Sequence, residues 1–141
     1  MQAHHALILI LILISLTGCS TKAGDLPGTE WELISLNGQE PIAGTVITLN
    51  FTEDYLGGET GCNYYGNSPD LGKFIATGDG RFSLEPPFAV TVQLCSEPAG
   101  IMEQEAAYIE TLQNAVRYKI TENRLELLNG AGETILIYRA R

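Results

Sequence analysis

Pro98-Ala99-Gly100-Ile101-Met102-Glu103-Gln104-Glu105-Ala106-Ala107-Tyr108-Ile109-Glu110-Thr111-Leu112-Gln113-Asn114 is the stretch of this chain that reads as a helix, and it decides the fold. Ile101, Met102, Tyr108, Ile109, Leu112 and Val116 recur at three-, four- and seven-residue steps, which puts them near one stripe of a helix. Glu103, Gln104 and Glu110 then face water. Ser96 is the expected N-cap, with Glu97 and Pro98 suited to the first turn.

Outward from the helix the chain reads as strands on both sides. Thr29 to Asn37 places Trp31, Leu33 and Ser35 on one side and ends in the turn pair Asn37-Gly38. Thr45 to Glu53 puts Ile47, Leu49 and Phe51 on one face by period two. Tyr55 to Thr60 is a further short strand broken by Gly57-Gly58. Leu71 to Ala76 and Arg81 to Leu84 flank Thr77-Gly78-Asp79-Gly80, a hairpin signal. Phe88 to Cys95 follows Pro86-Pro87. After the helix come Val116 to Thr121, Leu125 to Leu128 and Thr134 to Arg139. The last is apolar on both faces, so it is expected inside the sheet and not at its edge. One helix can cover one concave sheet face. The expected fold is therefore α+β: a curved antiparallel sheet, or incomplete barrel, wrapped around one helix.

The N-terminus carries an address. The apolar run Ala6 to Ile14 is too short to span a bilayer, which takes about 20 residues, but it suits the hydrophobic region of a secretory signal. It closes with Leu16-Thr17-Gly18-Cys19, a bacterial lipoprotein signal ending at the cysteine to be lipidated. Residues 1–18 are read as the signal peptide, 19–27 as a lipidated tether and 28–141 as one domain. Several acyl chains on Cys19 would anchor the protein stably. The expected location is the cell envelope, on the outer membrane facing the periplasm in a Gram-negative host.

Composition narrows the function. The net charge is −9, with 17 acids and 8 bases, all after Gly18. Nucleic acid needs a basic face, and anionic lipid repels such a chain. Both histidines, His4 and His5, lie in the signal. Histidine-dependent nucleophilic catalysis and histidine-bearing zinc sites are therefore not expected. No cofactor or metal is implied, no catalytic residue is assigned, and a monomer is expected. Cys62 and Cys95 form an even pair outside the cytoplasm. A disulfide is the first reading and two buried free thiols the second.

Two clusters remain. Gly61-Cys62-Asn63 sits in a glycine-bounded loop. Structurally, glycine allows a tight turn, Cys62 reaches Cys95 and Asn63 bonds the turn. Functionally, Asn63, Tyr64 and Tyr65 would present a binding surface, since tyrosine offers apolar area with a polar tip. Glu53, Asp54 and Glu59 crowd a turn and, facing each other in a cleft, could act as hydrolytic carboxylates.

Trp31-Glu32-Leu33, Gly61-Cys62-Asn63 followed by Tyr65, Thr91-Val92-Gln93-Leu94-Cys95, Glu105 with Tyr108 and Leu112, and Leu125-Glu126-Leu127 stand in a recognisable order. By these residues the chain resembles the META domain family, the HslJ-like heat-shock lipoproteins, over about residues 28–139. It departs from the pattern at Gly66, one position early, and at Ser68 and Pro69, where an aromatic often stands. The resemblance implies a sheet-around-helix fold, also seen in pilot lipoproteins of secretins, and links to heat shock, drug resistance and virulence. It supplies no reaction. The expected function is a non-enzymatic, stress-related binding or assembly module with an envelope protein or lipid as partner. Alternatives are a pilot-like chaperone holding lipid or a partner helix in an apolar cavity of about 300–1,000 Å³, and a carboxylate-based envelope hydrolase.

Overall fold

A computed structural model describes residues 25–67 and 73–141. Among the described residues ten strands and one helix follow in order: β1 (Glu30–Leu36), β2 (Thr48–Phe51), β3 (Leu56–Glu59), β4 (Tyr64–Gly66), β5 (Phe74–Ala76), β6 (Phe82–Leu84), β7 (Ala89–Val90), α1 (Ile101–Gln113), β8 (Arg117–Thr121), β9 (Arg124–Leu128) and β10 (Thr134–Ala140). Eight strands form one antiparallel sheet in the order β7-β4-β3-β2-β1-β10-β9-β8, and β5-β6 is a separate hairpin. The sheet does not close. This is the curved α+β arrangement expected from one late helix among strands. The hairpin sits beside β8, where Phe82 N–H donates to Val116 O and Tyr118 N–H to Gly80 O. It also packs Phe74 and Phe82 edge-on against Phe51.

Period two placed the core correctly on the long strands. Trp31, Leu33, Ile47, Leu49 and Phe51 are buried, as are Leu125, Leu127, Leu136 and Tyr138. β10 lies between β1 and β9, so its two apolar faces are accounted for. Ser35 is only half-buried, at the point where the β1–β10 register shifts between Leu33 and Ser35. Asn37 and Gly38 both take positive φ, 49° and 81°, as a tight hairpin-type turn requires.

The helix differs from its sequence reading at the start and on its polar side. It begins at Ile101, not Pro98. Gly100, at φ 85°, occupies the N-cap position with no side-chain cap, so Ser96 does not fill that role. Gln104 is buried, not solvated: its Oε1 accepts Ile42 N–H at 2.6 Å and its Nε2 donates to Thr45 Oγ1 at 3.1 Å. The segment between β1 and β2 therefore covers a helix face that periodicity assigned to water. Glu105 is buried as well, while Val116 is exposed.

Gly57-Gly58 does not break a strand, as their composition suggested. Both lie inside β3, where they let neighbouring backbones approach. A Cβ on Gly58 would stand 2.1 Å from Thr48 O, and one on Gly57 2.7 Å from Tyr65 O. Since those obstacles are backbone, the sheet would have to part. Gly58→Ala is expected to destabilise by about 3 kcal/mol, measured as a lower urea midpoint. An unchanged midpoint would mean that β2 and β3 separate freely.

Candidate functional site

Thr60, at the end of β3, turns through Gly61 (φ 95°) into Cys62 and Asn63. Asn63 is 2% exposed, and every polar atom of its side chain is used. Its Oδ1 accepts Gln93 N–H and the Thr91 hydroxyl, each at 2.8 Å. Its Nδ2 donates to Gln93 O at 3.1 Å and to Glu105 Oε1 at 2.9 Å. Its backbone N–H is shared between Thr60 Oγ1 and Glu105 Oε2. The Thr60 hydroxyl also bonds Glu105 Oε2. One asparagine thus ties the β3–β4 turn, the segment after β7 and the helix together.

The disulfide closes the same assembly. Cys62 and Cys95 are joined with their Cα atoms 6.0 Å apart across a separation of 33 residues. A loop of that length loses enough chain entropy in the unfolded state to stabilise the fold by about 3.7 kcal/mol in the entropic account. Reduction, or paired Cys62→Ser and Cys95→Ser replacement, is expected to lower thermal stability by about that amount. A melting curve unmoved by reductant would contradict it.

Strand alternation divides the three residues expected to share a surface. Asn63 and Tyr65 point inward, while Tyr64 is 60% exposed. The Tyr65 hydroxyl is within 2.6 Å of both Thr48 O and the Tyr108 hydroxyl, and Tyr108 bonds Tyr138 at 3.2 Å. Three tyrosines therefore form a buried hydroxyl chain between helix and sheet. Burial raises all three phenol pKa values above 10; neighbouring hydroxyls add to this for Tyr65 and Tyr138 and oppose it for Tyr108. Glu105, the buried acceptor at the centre of the clamp, was legible in the sequence only as part of the family's helix pattern.

Glu53 and Asp54 sit on the β2–β3 turn and Glu59 at the far end of β3, all exposed. Four residues of strand, about 13 Å, separate the turn from Glu59, so the structure does not bring the three together. Among the described residues no group of three or more His, Cys, Asp or Glu side chains is arranged to hold a metal ion. The signal, the tether through Gly24 (including Cys19), Ser68 and Pro69 lie outside the described residues.

Beside the clamp two large apolar side chains stand in solvent among exposed polar ones. Val92 is 94% exposed and Leu94 93%. They follow β7 in the chain, and a shallow groove of about 250 Å³ beside β7 is lined by Tyr64, Tyr65, Gly66, Ala89, Val90 and Thr91. A larger cleft of about 560 Å³ opens at the end of the sheet, lined in part by Asp25, Glu30, Trp31, Glu122 and Arg141. It is charged at its rim.

The META domain family model matches residues 24–141. A solution structure of a protein from Burkholderia xenovorans is similar, with a TM-score of 0.60 and 24% identity, covering 82% of this chain and 83% of that one. A second solution structure is similar at a TM-score of 0.59 and 22% identity, covering 81% and 90%. At these identities the likeness shows the fold. No curated protein matches the chain.

Proposed function

The chain belongs to the META domain family, and from that premise we propose that it is a non-enzymatic, stress-related binding or assembly module, lipid-anchored in the bacterial cell envelope. The carrying observation is the clamp. Its most conspicuous polar residues, Thr60, Asn63 and Glu105, are spent on one another and on holding the segment 91–95. Along that segment Val92 and Leu94 are held out to solvent as large apolar side chains. Leu16-Thr17-Gly18-Cys19 supports the anchor. A pilot-like chaperone would need an apolar cavity between sheet and helix, where the tyrosine hydroxyl chain instead stands.

The anchor is tested by intact-mass analysis of protein extracted from bacterial membranes. The expected species starts at Cys19, carries a diacylglyceryl group and fractionates with membranes, whereas Cys19→Ser leaves a soluble or unprocessed chain. An unmodified wild-type chain with Met1 retained would overturn the reading.

A further inference from the structure

β7 is one end of the eight-stranded sheet, and its continuation leaves backbone groups without partners. Thr91 N–H donates to Tyr64 O, and Gln93 is held through both its N–H and its C=O by Asn63. Alternate residues of an extended chain direct their backbone groups to opposite sides. Val92 and Leu94 therefore turn theirs away from the sheet, and neither has a hydrogen-bond partner among the described residues. Their side chains extend the apolar row that Phe88 and Val90 begin against the core. The opposite edge is guarded differently. β8 carries Arg117 and Lys119 and is bridged to the hairpin at Arg81.

We infer that the segment Val90–Leu94 is a β-addition site, which takes an extended, basic, apolar-alternating segment of a partner polypeptide as a ninth strand. This deepens the binding-module reading and rests on it. Main-chain bonds would give affinity, and the groove beside Tyr64 and Val90 would take alternate side chains. Charge selects the occupant. Glu85 and Glu97, both exposed, flank the segment along the chain, and no lysine or arginine lies between Arg81 and Arg117. Glu59 lies directly across from Tyr64 on β3. A second copy paired edge to edge would set Glu85 and Glu97 against acids of the same sign. A lipid surface would leave the outward N–H and C=O groups unpaired, which hydrocarbon does not tolerate.

The test uses the full chain in detergent micelles and a fluorescein-labelled decapeptide of alternating valine and lysine. Anisotropy should report saturable binding that weakens with salt, and hydrogen exchange should slow at Val92 and Leu94. Val92→Pro removes one outward N–H that makes no internal bond, and Leu94→Lys places a charge on the edge. Each should weaken binding at least tenfold while the melting temperature holds. Glutamate in place of lysine in the peptide should weaken binding equally. Absence of binding, equal binding by both variants, protection elsewhere on the molecule, or a dimer abolished by Val92→Pro would each overturn the inference. A chain that is lipidated in cells but ignores the peptide would fail here alone; an unlipidated chain that binds it would fail the anchor alone.

Discussion

Raising the pH well above 10 is expected to destabilise this protein progressively and then unfold it. The cause is the buried trio Tyr65, Tyr108 and Tyr138. Each phenol is raised by burial above the ordinary value of 10, so the folded state keeps protons that the unfolded chain releases. Below pH 10 both states hold the proton and stability is level. Above it the unfolded state binds fewer protons, and stability falls by about 1.4 kcal/mol per pH unit for each tyrosine. Tyr118, raised by burial and by Asp25 and Asp79, acts in the same direction. Native domains have only about 5–15 kcal/mol in hand. Circular dichroism and tyrosinate absorbance should therefore change together above pH 11. Tyrosinate from all three groups near pH 10, with the fold intact, would refute this. Tyr108→Phe should remove one titrating group and so reduce the slope. At neutral pH it should cost about 1–3 kcal/mol, since the Tyr138 hydroxyl then loses its partner.

Asn63→Ala is expected to cost about 4–5 kcal/mol, the largest effect of any single polar replacement considered. It strands one buried acceptor, Glu105 Oε1, and one amide donor, Gln93 N–H. Unmade bonds of this kind cost about 1–3 kcal/mol each, more at a charged partner, and a shared network makes the losses add unfavourably. Thermal melting should shift down by roughly 15–20 °C at about 4 °C per kcal/mol. Exchange at residues 91–95 should rise with the disulfide intact. Asn63→Asp keeps the size but sets a second carboxylate against Glu105, and should be no better. If Asn63→Ala melted within a few degrees of the parent, the loop would be held by the disulfide alone, and the clamp would carry no energetic weight.

The core was largely legible because burial on a regular strand follows from local alternation. Ile47, Leu49 and Phe51 show this, as does β10, whose two apolar faces require neighbours on both sides. Gln104 and Glu105 were not legible from helical periodicity. That periodicity says which residues share a face, not what the rest of the chain lays over it. The segment 37–45 covers Gln104, and the turn at Asn63 covers Glu105. Gly57 and Gly58 misled for a related reason. Their lack of side chain signals a break only until a second backbone occupies the space.

The candidate surface divides along the same line. Phe88, Val90, Val92 and Leu94 alternate in the sequence, and by that pattern all four belong to a core face. Only the assembled fold shows that the sheet's cover ends after Val90, leaving the last two in water. The amino-acid sequence by itself set the helix, the strand faces, the cysteine pair and the family pattern, because each depends on neighbours a few residues apart or on residue identity. Tertiary structure decided which polar groups are buried and which apolar ones are free. Those outcomes depend on segments that meet across 30 to 62 residues of chain, as Asn63 meets Gln93 and Ile42 meets Gln104.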